Sequence, residues 1–534
     1  MDTKALRQKI LDLAIRGQLV PQNPDDEPAS VLLERIRAEK QQMVADGRLK
    51  AKDIKNDTIV FRGEDNLHYE KFADGTVKCI EDEIPFELPE GWEWCRLRDL
   101  FTVCSSKRVL QSEWRNSGVP FYRAREIVKL SDNGFVDNEL FITVEHYQRL
   151  EKEYGVPQAG DLMVSGVGTI GKVYIVRSDD RFYYKDASVL CFQNRTGFVH
   201  PLFARFLLES SLMQSQMHDN SNGTTVDTIT ISTAMNYLCL IPPLEEQERI
   251  ASSITALIER VDIISDSCDS IRDIIARTKE KVLDLAIRGR LVSQNQDDEP
   301  ASVLLERIRA EKEELIEQGK IKRDKRESII FRGEDNSYYE TIGNETIIID
   351  ANLPFEVPNG WAVERLKNVY IINPKNNIND DMIVSFVPMA LVDDQFSGRY
   401  TYEEKAWKLC KSGFTHFAEG DVGFAKISPC FENRKSAIFI GLKNGYGAGT
   451  TELFILRSIG DAILPAFTLD FLKSGYFISR GQGTFSGVVG QQRVDKNVIL
   501  DTFILIPPQQ EQERIAENVN QLFSLLESIE VALT

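Results

Sequence analysis

The stretch "LDLAIRGQLVPQNPDDEPASVLLERIRAEK" at residues 11–40 returns as "LDLAIRGRLVSQNQDDEPASVLLERIRAEK" at residues 283–312. The two stretches agree at 27 of 30 positions, at an offset of 272 residues. Solenoid and propeller repeats have periods of roughly 20–50 residues, so this spacing is far too long for them. It predicts that the 534-residue chain contains a duplicated half.

The likeness extends beyond these thirty residues. "FRGEDN" occurs at 61–66 and 331–336, "IPFELPEGWEWCRL" at 84–97 resembles "LPFEVPNGWAVERL" at 353–366, and "IPPLEEQERIA" at 241–251 resembles "IPPQQEQERIA" at 506–516. Two unlike segments of about 150 residues lie between them. We therefore predict five segments: a helical segment with a linker (1–83), a first variable module (84–242), a central helical region with a linker (243–352), a second variable module (353–508) and a C-terminal helix (509–534).

A long helix is predicted after the first Pro-Pro pair. In steps of four and three from Ile250 to Leu285, nine of eleven positions are Ile, Leu or Val, which is typical of a coiled coil. The helix should run from 250 to about 288. The second Pro-Pro pair begins the same pattern at 515–534, and residues 1–17 supply its continuation. We expect these two pieces to pair as a split copy of the central helix, giving antiparallel helices and a pseudo-twofold, circularly permuted repeat. The alternative is that duplication simply left ragged ends.

The two modules have a different pattern. Short β-type runs such as "KVYIVRS" (172–178) and "KSAIFIGL" (435–442) accompany Gly-Asp turns at 160–161 and 420–421. Helical stretches follow at 201–217 and 465–477. The predicted class is α+β, with two mixed modules separated by long helices.

Charge is distributed unevenly along the chain. The net charge is −18, yet residues 84–242 hold 16 basic and 19 acidic residues, and residues 353–508 hold 16 of each. The acidic excess therefore lies outside the modules, which are the candidates for contact with a polyanion such as DNA.

The composition also predicts the cellular compartment of the protein. No run approaches the roughly 18 apolar residues of a membrane span. The eight Cys form no CxxC pair and the five His are scattered, which disfavours a zinc site or a disulfide framework. We expect a cytoplasmic protein without a membrane anchor or a bound metal.

These motifs resemble one family over essentially the whole chain. The paired "PPLEEQERIA" and "PPQQEQERIA" elements, around a circularly repeated helical region, are similar to the specificity subunits of type I restriction-modification systems. "GDLMVSGVGTIGKV" (160–173), "GDVGFAKISPCFENRKSAIF" (421–440) and "GTFSGVVGQQRVDKNVI" (483–499) resemble segments of the family's target-recognition domains.

The resemblance implies a division of labour. Each module would read one half of a split, asymmetric target in double-stranded DNA, and the helices would set the spacing. Two methyltransferase subunits would bind the helices and methylate adenine with S-adenosylmethionine. Two restriction subunits would add ATP- and Mg-dependent translocation and cleavage. The chain itself would bind no cofactor and catalyse nothing.

Candidate DNA-binding residues follow from residue type, because Arg pairs bidentately with guanine and Gln with adenine. In the first module, Arg123 and Arg125 show strand-like alternation beside Tyr122, with a salt bridge to Glu126 as the alternative. The remaining candidates are Ser165, Thr169, Lys172, Thr224 and Thr225 in the first module, and Lys426, Asn433, Arg434, Lys435, Gln491, Gln492 and Arg493 in the second. An ordinary hairpin or turn is the alternative for the first group, and a structural or solvated role is the alternative for Lys426 and Arg434.

Two motifs suggest enzymes but lack essential parts. "GVGTIGKV" (166–173) matches GxxxxGK, yet Val173 replaces the Ser or Thr that binds magnesium, and a strand is predicted where the helix should begin. "IPPL" and "IPPQ" lack the Asn and the aromatic residue of the adenine-methyltransferase motif. The alternatives that stay open are a coiled-coil scaffold that binds proteins and a specificity subunit of a methylation-only system.

Overall fold

The computed structural model of the chain describes residues 2–219, 228–323, 327–488 and 490–533. Residue contacts divide it into two compact units, Met1–Ser267 and Cys268–Thr534. Each unit contains one of the predicted modules together with helical segments that flank it. The five-segment division of the chain stays a prediction.

The first unit contains helices and strands in mixed order. Its helices are α1 (Thr3–Ile15), α2 (Ala29–Ala45), α3 (Ala51–Ile54), α4 (Leu97–Leu100), α5 (Ala124–Asn133), α6 (Val144–Tyr154), α7 (Pro201–Glu209), α8 (Ser211–Asp219), α9 (Ile231–Asn236) and the first part of α10 (Leu244–Ile287). Its strands are β1 (Ile59–Arg62), β2 (His68–Lys71), β3 (Val77–Cys79), β4 (Glu93–Arg96), β5 (Thr102–Cys104), β6 (Val119–Tyr122), β7 (Phe141–Ile142), β8 (Leu162–Ser165), β9 (Val173–Ile175), β10 (Tyr183–Tyr184), β11 (Val189–Gln193) and β12 (Leu238–Ile241).

The second unit begins within α10 and contains a comparable set of helices and strands. Its further helices are α11 (Ala301–Glu317), α12 (Leu366–Val369), α13 (Pro465–Lys473), α14 (Gly475–Gln482), α15 (Asn497–Asp501) and α16 (Gln509–Ala532). Its strands are β13 (Ser328–Arg332), β14 (Tyr338–Ile342), β15 (Glu345–Ile348), β16 (Ala362–Arg365), β17 (Tyr370–Ile372), β18 (Ile383–Val387), β19 (Glu403–Ala406), β20 (Thr415–Ala418), β21 (Val422–Ala425), β22 (Ser436–Ile438), β23 (Tyr446–Gly449), β24 (Leu453–Ser458) and β25 (Phe503–Ile506). The predicted α+β class is confirmed.

The predicted central helix is present as α10, which has 44 residues and begins six residues earlier than its first seam position. In the first unit α10 is antiparallel to the N-terminal segment, since Arg7 pairs with Asp262 and Gln22 donates to Glu246. Ile10, Leu11 and Ile15 of α1 share a buried core with Ile250 and Ile254 of α10. Of the two pieces of the predicted split helix, the one at the start of the chain, α1, therefore packs against α10.

In the second unit α16 is antiparallel to the later part of α10. The Nζ atom of Lys279 lies 3.2 Å from a carboxylate oxygen of Glu530, and Arg272 reaches the carbonyl of Leu533. The predicted seam is not buried throughout, because Ile264 and Ile271 are exposed while Val261 and Ile275 are buried. The side-by-side placement of the two termini stays a prediction.

Each module is built on a four-stranded antiparallel sheet. The strand order is β5-β11-β8-β9 in the first unit and β17-β24-β21-β22 in the second. The registers correspond, with Val164 opposite Val173 in the first hairpin and Phe424 opposite Ser436 in the second. In each module the first strand also pairs with the last one, β4 with β12 and β16 with β25. The strands predicted at 172–178 and 435–442 are confirmed as β9 and β22.

The two predicted helical stretches at 201–217 and 465–477 each form two helices instead of one. The break falls at Ser210 and at Ser474, which are buried and have extended backbone angles. Each hydroxyl donates to a carbonyl three residues earlier, at 2.6 Å in both units. This local hydrogen bond competes with the helix, a property of Ser that hydrophobic periodicity does not register.

The Pro-Pro motifs define a joint between each module and its long helix. Gln247 and Gln512 are fully buried, and each amide nitrogen donates to the carbonyl of a preceding proline, Pro242 or Pro507, at 3.1 Å. Each amide oxygen accepts the backbone N–H of the residue before α7 or α13, namely His200 or Leu464, at 2.8 Å. We call this arrangement the glutamine joint.

Each unit also carries a three-stranded meander, β1-β2-β3 or β13-β14-β15. None of the helices in the described ranges is long and apolar enough to cross a membrane.

Candidate DNA-binding surface

The second module brings two of its predicted DNA-binding segments together. After β21 the chain passes through Lys426 and Ile427, and Ile427 forms a β-bridge with Arg493. The N–H of Ser428 donates to the carbonyl of Gln492 at 2.8 Å, and the N–H of Val494 donates to that of Lys426 at 2.9 Å. Lys426 and Arg493, separated by 67 positions in the sequence, are therefore neighbours.

Arg493 is held in a defined orientation at this surface. Its Nε and Nη2 atoms each donate to a different carboxylate oxygen of Glu452, both at 2.9 Å, and half of the side chain stays exposed. The guanidinium lowers the pKa of Glu452, so the pair is ionic at neutral pH. A charged Arg with part of its edge still exposed is suited to donate hydrogen bonds to a guanine or a phosphate.

The neighbouring glutamines differ in exposure. Gln491 is exposed and its N–H donates to the carbonyl of Val488 at 2.9 Å, while Gln492 is half-buried. Gly490 has a φ of +83°, a left-handed conformation that favours glycine and turns the chain so that both amides follow at the surface. The backbone N–H of Lys426 donates to the main-chain carbonyl of Glu452 at 2.8 Å, and the Nζ atom of Lys426 lies 5.2 Å from the ring centre of Phe454.

The side chains of Arg434 and Lys435 have internal partners, and Asn433 is held through its main chain. Arg434 donates to the carbonyl of Lys473 at 3.0 Å and to Glu280 at 2.8 Å. Lys435 donates to the carbonyl of Val392 at 2.5 Å, and the carbonyl of Asn433 accepts the N–H of Gln395. These contacts favour the structural alternative for Arg434, and the proposed surface includes none of the three.

A pocket beside Lys426 was missed at the sequence level. It has a volume of about 330 Å³, and its lining includes Lys375, Thr415, His416 and Lys426, with no acidic residue among the described residues around it. Burial lowers the pKa of His416, and the charge of Lys375 lowers it further, so its ring is neutral at pH 7. The polar turn "NPKNN" at 373–377 was the only signal in the sequence, and it is a common loop composition.

In the first module the predicted strand alternation at Arg123 and Arg125 is wrong. Strand β6 ends at Tyr122, Arg123 precedes α5, and Arg125 lies in its first turn. Both arginines donate to the buried carboxylate of Glu126, Arg123 through Nη2 at 2.9 Å and Arg125 through Nε at 2.5 Å. The residue before a helix has extended backbone angles, as a strand residue does. The alternation of a strand can therefore appear to continue into the first turn of a helix.

The two arginines nevertheless differ in what they leave exposed. Burial raises the pKa of Glu126, but the hydrogen bonds from Arg123 and Arg125 outweigh this, and its pKa is below the ordinary value. Arg123 is mostly covered, whereas about half of Arg125 is exposed and also pairs with the exposed Glu139. Tyr122 is half-buried, with its ring 4.7 Å from that of Phe182.

Ser165, Thr169 and Lys172 lie in the hairpin that joins β8 to β9. Ser165 is fully buried, and its hydroxyl donates to the carbonyl of Thr169 at 2.7 Å, so it is a structural residue of the turn. Thr169 is exposed, and Lys172 pairs with Asp132 at 2.6 Å. These residues do lie in a hairpin, and the strand after Lys172 stands where a phosphate loop of the GxxxxGK type would begin a helix.

The same hairpin is linked to the end of its module, as in the second unit. Val167 forms a β-bridge with Thr228, and the N–H of Ile229 donates to the carbonyl of Gly166 at 2.8 Å. The predicted Thr224 and Thr225 lie outside the described residues. Within the described chain, no group of three or more His, Cys, Asp or Glu is arranged to hold a metal ion.

Comparison with known proteins gives these features a family. Residues 89–272 match the family described as "Type I restriction modification DNA specificity domain". The chain is 44% identical over 257 residues to the type I restriction enzyme EcoAI specificity subunit of Escherichia coli, which covers 48% of this chain and 41% of that protein. It is 41% identical over 257 residues to the EcoEI specificity subunit of the same organism, which covers 48% and 40%.

A solved structure described as "Structural basis underlying complex assembly and conformational transition of the type I R-M system" has a similar fold. It aligns with a TM-score of 0.53 over 84% of this chain and 94% of that one, at 16% identity. Residues 89–272 are therefore a type I restriction-modification DNA specificity domain. Within that class, the chain is related to the specificity subunits, and it matches about two fifths of the length of the two Escherichia coli relatives.

Proposed function

We propose that this chain is the DNA sequence-specificity subunit of a type I restriction-modification system, with each module reading one half of a bipartite, asymmetric target. The observation that carries the proposal is the equivalent construction of the two modules. In both, the turn after a central strand is bridged to the end of the module, by Val167 with Thr228 and by Ile427 with Arg493. The bridged turn is the same in both modules while the side chains upon it differ, which is suited to reading two different sequences.

The proposed reading residues are those at the surface of this framework. In the second module they are Gln491, Gln492 and Arg493 for base edges, with Lys375 and Lys426 for phosphate. In the first module they are Arg125, Thr169 and Lys172, with Arg123 and Tyr122 supporting them.

The helices are proposed to set the spacing and to bind the catalytic partners. A helix rises about 1.5 Å per residue, so the 44 residues of α10 extend about 66 Å, and half-sites one turn apart are separated by about 34 Å. Two methyltransferase subunits, which carry S-adenosylmethionine, would methylate an adenine in each half-site. Two restriction subunits, which carry ATP and Mg, would complete the complex, in the cytoplasm, while this chain catalyses nothing and binds neither cofactor.

The test is to co-express the chain with the methyltransferase subunit of its system in a host without adenine methylation, and to map N6-methyladenine by single-molecule sequencing. The expected result is one motif with two fixed, different halves and a constant gap. Soluble, associated proteins that give no motif would favour the scaffold alternative. Methylation without restriction, when every subunit of the system is supplied, would identify a methylation-only system.

A further inference from the structure

The two meanders present the same apolar face to solvent. Opposite residues in neighbouring strands lie on one face of a sheet. In the first meander, Phe61 is opposite Tyr69 and Tyr69 is opposite Cys79. In the second, Phe331 is opposite Tyr339 and Tyr339 is opposite Ile348. Phe61 is 37% exposed and Phe331 is 45% exposed, so an aromatic row is accessible in both units.

The aromatic pair is held in place by the same contacts in both copies. The rings of Phe61 and Tyr69 stack with centres 5.9 Å apart, and those of Phe331 and Tyr339 with centres 5.7 Å apart. Each tyrosine hydroxyl donates to an aspartate in the preceding turn, Asp65 at 2.7 Å or Asp335 at 2.9 Å. This arrangement orients the rings before any partner is present.

A glycine in the same turn allows the tyrosine to approach the backbone. A Cβ atom at Gly63 would lie 2.8 Å from the ring of Tyr69, and one at Gly333 would lie 2.7 Å from the ring of Tyr339. These distances are too short for any side chain. The repeated "FRGEDN" thus specifies an exposed aromatic stack, which a merely solvated turn does not need.

The opposite face of each meander is anchored to its module. Glu70 is buried and accepts from Arg96 at 2.8 Å and from Arg98 at 2.5 Å. Glu340 is buried and accepts from Arg365 at 2.5 Å. One face of each meander is thus fixed by buried ion pairs, while the other is apolar and exposed. An exposed apolar face on a fixed sheet has the character of an interaction surface.

Charge indicates which class of partner fits. Apart from the buried Glu70 and Glu340, residues 59–83 contain six acidic and three basic residues, and residues 328–352 contain four acidic and one basic. An acidic rim repels nucleic acid and favours a protein with an apolar contact surface bordered by basic side chains. Because the face is built twice in one chain, the partner should bind in two copies.

We propose that the outer face of each meander supplies, in addition to the helices, a required docking contact for one methyltransferase subunit, which is apolar and centred on the Phe61–Tyr69 or the Phe331–Tyr339 pair. This inference rests on the proposed function, which supplies a partner in two copies. The aromatic rows give the contact its affinity, and the acidic rims give it its charge selectivity.

The experiment measures how many methyltransferase subunits bind the purified full chain, by native mass spectrometry and sedimentation velocity. The wild-type chain should bind two. Phe61→Glu and Phe331→Glu should each bind one, and the double variant should bind none at concentrations that saturate the wild type. Phe135→Glu, a control at a residue that is 72% exposed in the first module, should bind two. Circular dichroism and melting temperature verify that each variant is folded.

A second pair of variants leaves the aromatic rows intact. Glu64→Lys and Glu334→Lys reverse exposed charges on the two rims, and together they should weaken binding about tenfold at low salt and less at high salt. This result supports the rim argument even where a Phe variant fails to fold.

Three outcomes would count against these ideas in different ways. Two subunits on the Phe61→Glu/Phe331→Glu double variant would overturn the docking inference and leave the proposed function standing. No subunit on the wild-type chain would count against the proposed function itself. A wild-type chain that self-associates, with a double variant that stays monomeric, would assign the faces to a second copy of this chain and also overturn the inference.

Discussion

Single residues hold the modules to their helices, and Gln247 and Gln512 do this through two equivalent hydrogen bonds, to which Gln512 adds one to the carbonyl of Ala462. The side chain of each satisfies a proline carbonyl and a backbone N–H before the next helix. The two "EQER" motifs therefore encode a buried hydrogen-bonding role. The repetition in the sequence identifies the positions, but the partners, 47 and 48 residues away, become evident only in three dimensions.

We predict that Gln247→Ala lowers the free energy of unfolding of the first unit by about 2–4 kcal/mol, because two buried polar groups lose their partners. Urea unfolding measures this change, with Gln41→Ala at an exposed position as the control. A cost no greater than that of Gln41→Ala would contradict the joint.

Asp470 supplies a second prediction at this scale. Burial raises its pKa from 3.8 to about 8, an effect that the charge of Lys473 reduces. The folded state then holds a proton that the unfolded state has lost, so stability falls as pH rises from about 4 to 8. Burial and the charge of Arg434 lower the pKa of Lys473 to about 7, so this lysine adds little pH dependence below pH 7.

Asp470→Asn removes this dependence, since the amide carries no charge. The stability of the variant relative to the wild type should increase by about 2 kcal/mol between pH 5 and pH 7. Urea titrations at the two pH values measure the difference, and Asp461→Asn at an exposed position is the control. A relative stability that does not change with pH would show that Asp470 is charged in the folded state.

Among the elements, the turns of the four-stranded sheets carry the proposed recognition. We predict that Gln492→Ala combined with Arg493→Ala impairs recognition of one half-site only, because each substitution removes a bidentate hydrogen-bonding pair worth about 1–3 kcal/mol. Methylation of oligonucleotides that are altered in one half at a time measures the effect, and Lys496→Ala, exposed in the same module, is the control. Equal impairment at both halves would contradict the assignment of one module to one half-site.

An element could be predicted from the sequence when the residues that determine it lie close together in the chain. Helix α10 follows from periodicity within one segment, and the strands β9 and β22 follow from short β-branched runs. Arg434 was different, because its partners Glu280 and Lys473 are 154 and 39 positions away. Each of the segments with Lys426 and Arg493 is recognisable by itself in the sequence. Their motifs could not predict that the two residues are neighbours in the fold.

For the whole molecule, the duplicated construction makes a prediction about symmetry. If residues 84–242 are replaced by a second copy of residues 353–508, the chain should read two identical half-sites. The pseudo-twofold relation expected from the sequence predicts that they form an inverted repeat. Methylation mapping distinguishes this result from a direct repeat, which would contradict the twofold relation, and the unaltered chain is the control.

The glutamine joint has a consequence for how such proteins change over generations. A foreign module that supplies two edge strands and one correctly placed N–H can attach to the existing helix without any change in it. Recombination can therefore exchange a whole reading surface in a single event, whereas point mutation must alter it one side chain at a time. Under the proposed function, such an exchange would change the methylation pattern abruptly and leave the helical framework unaltered.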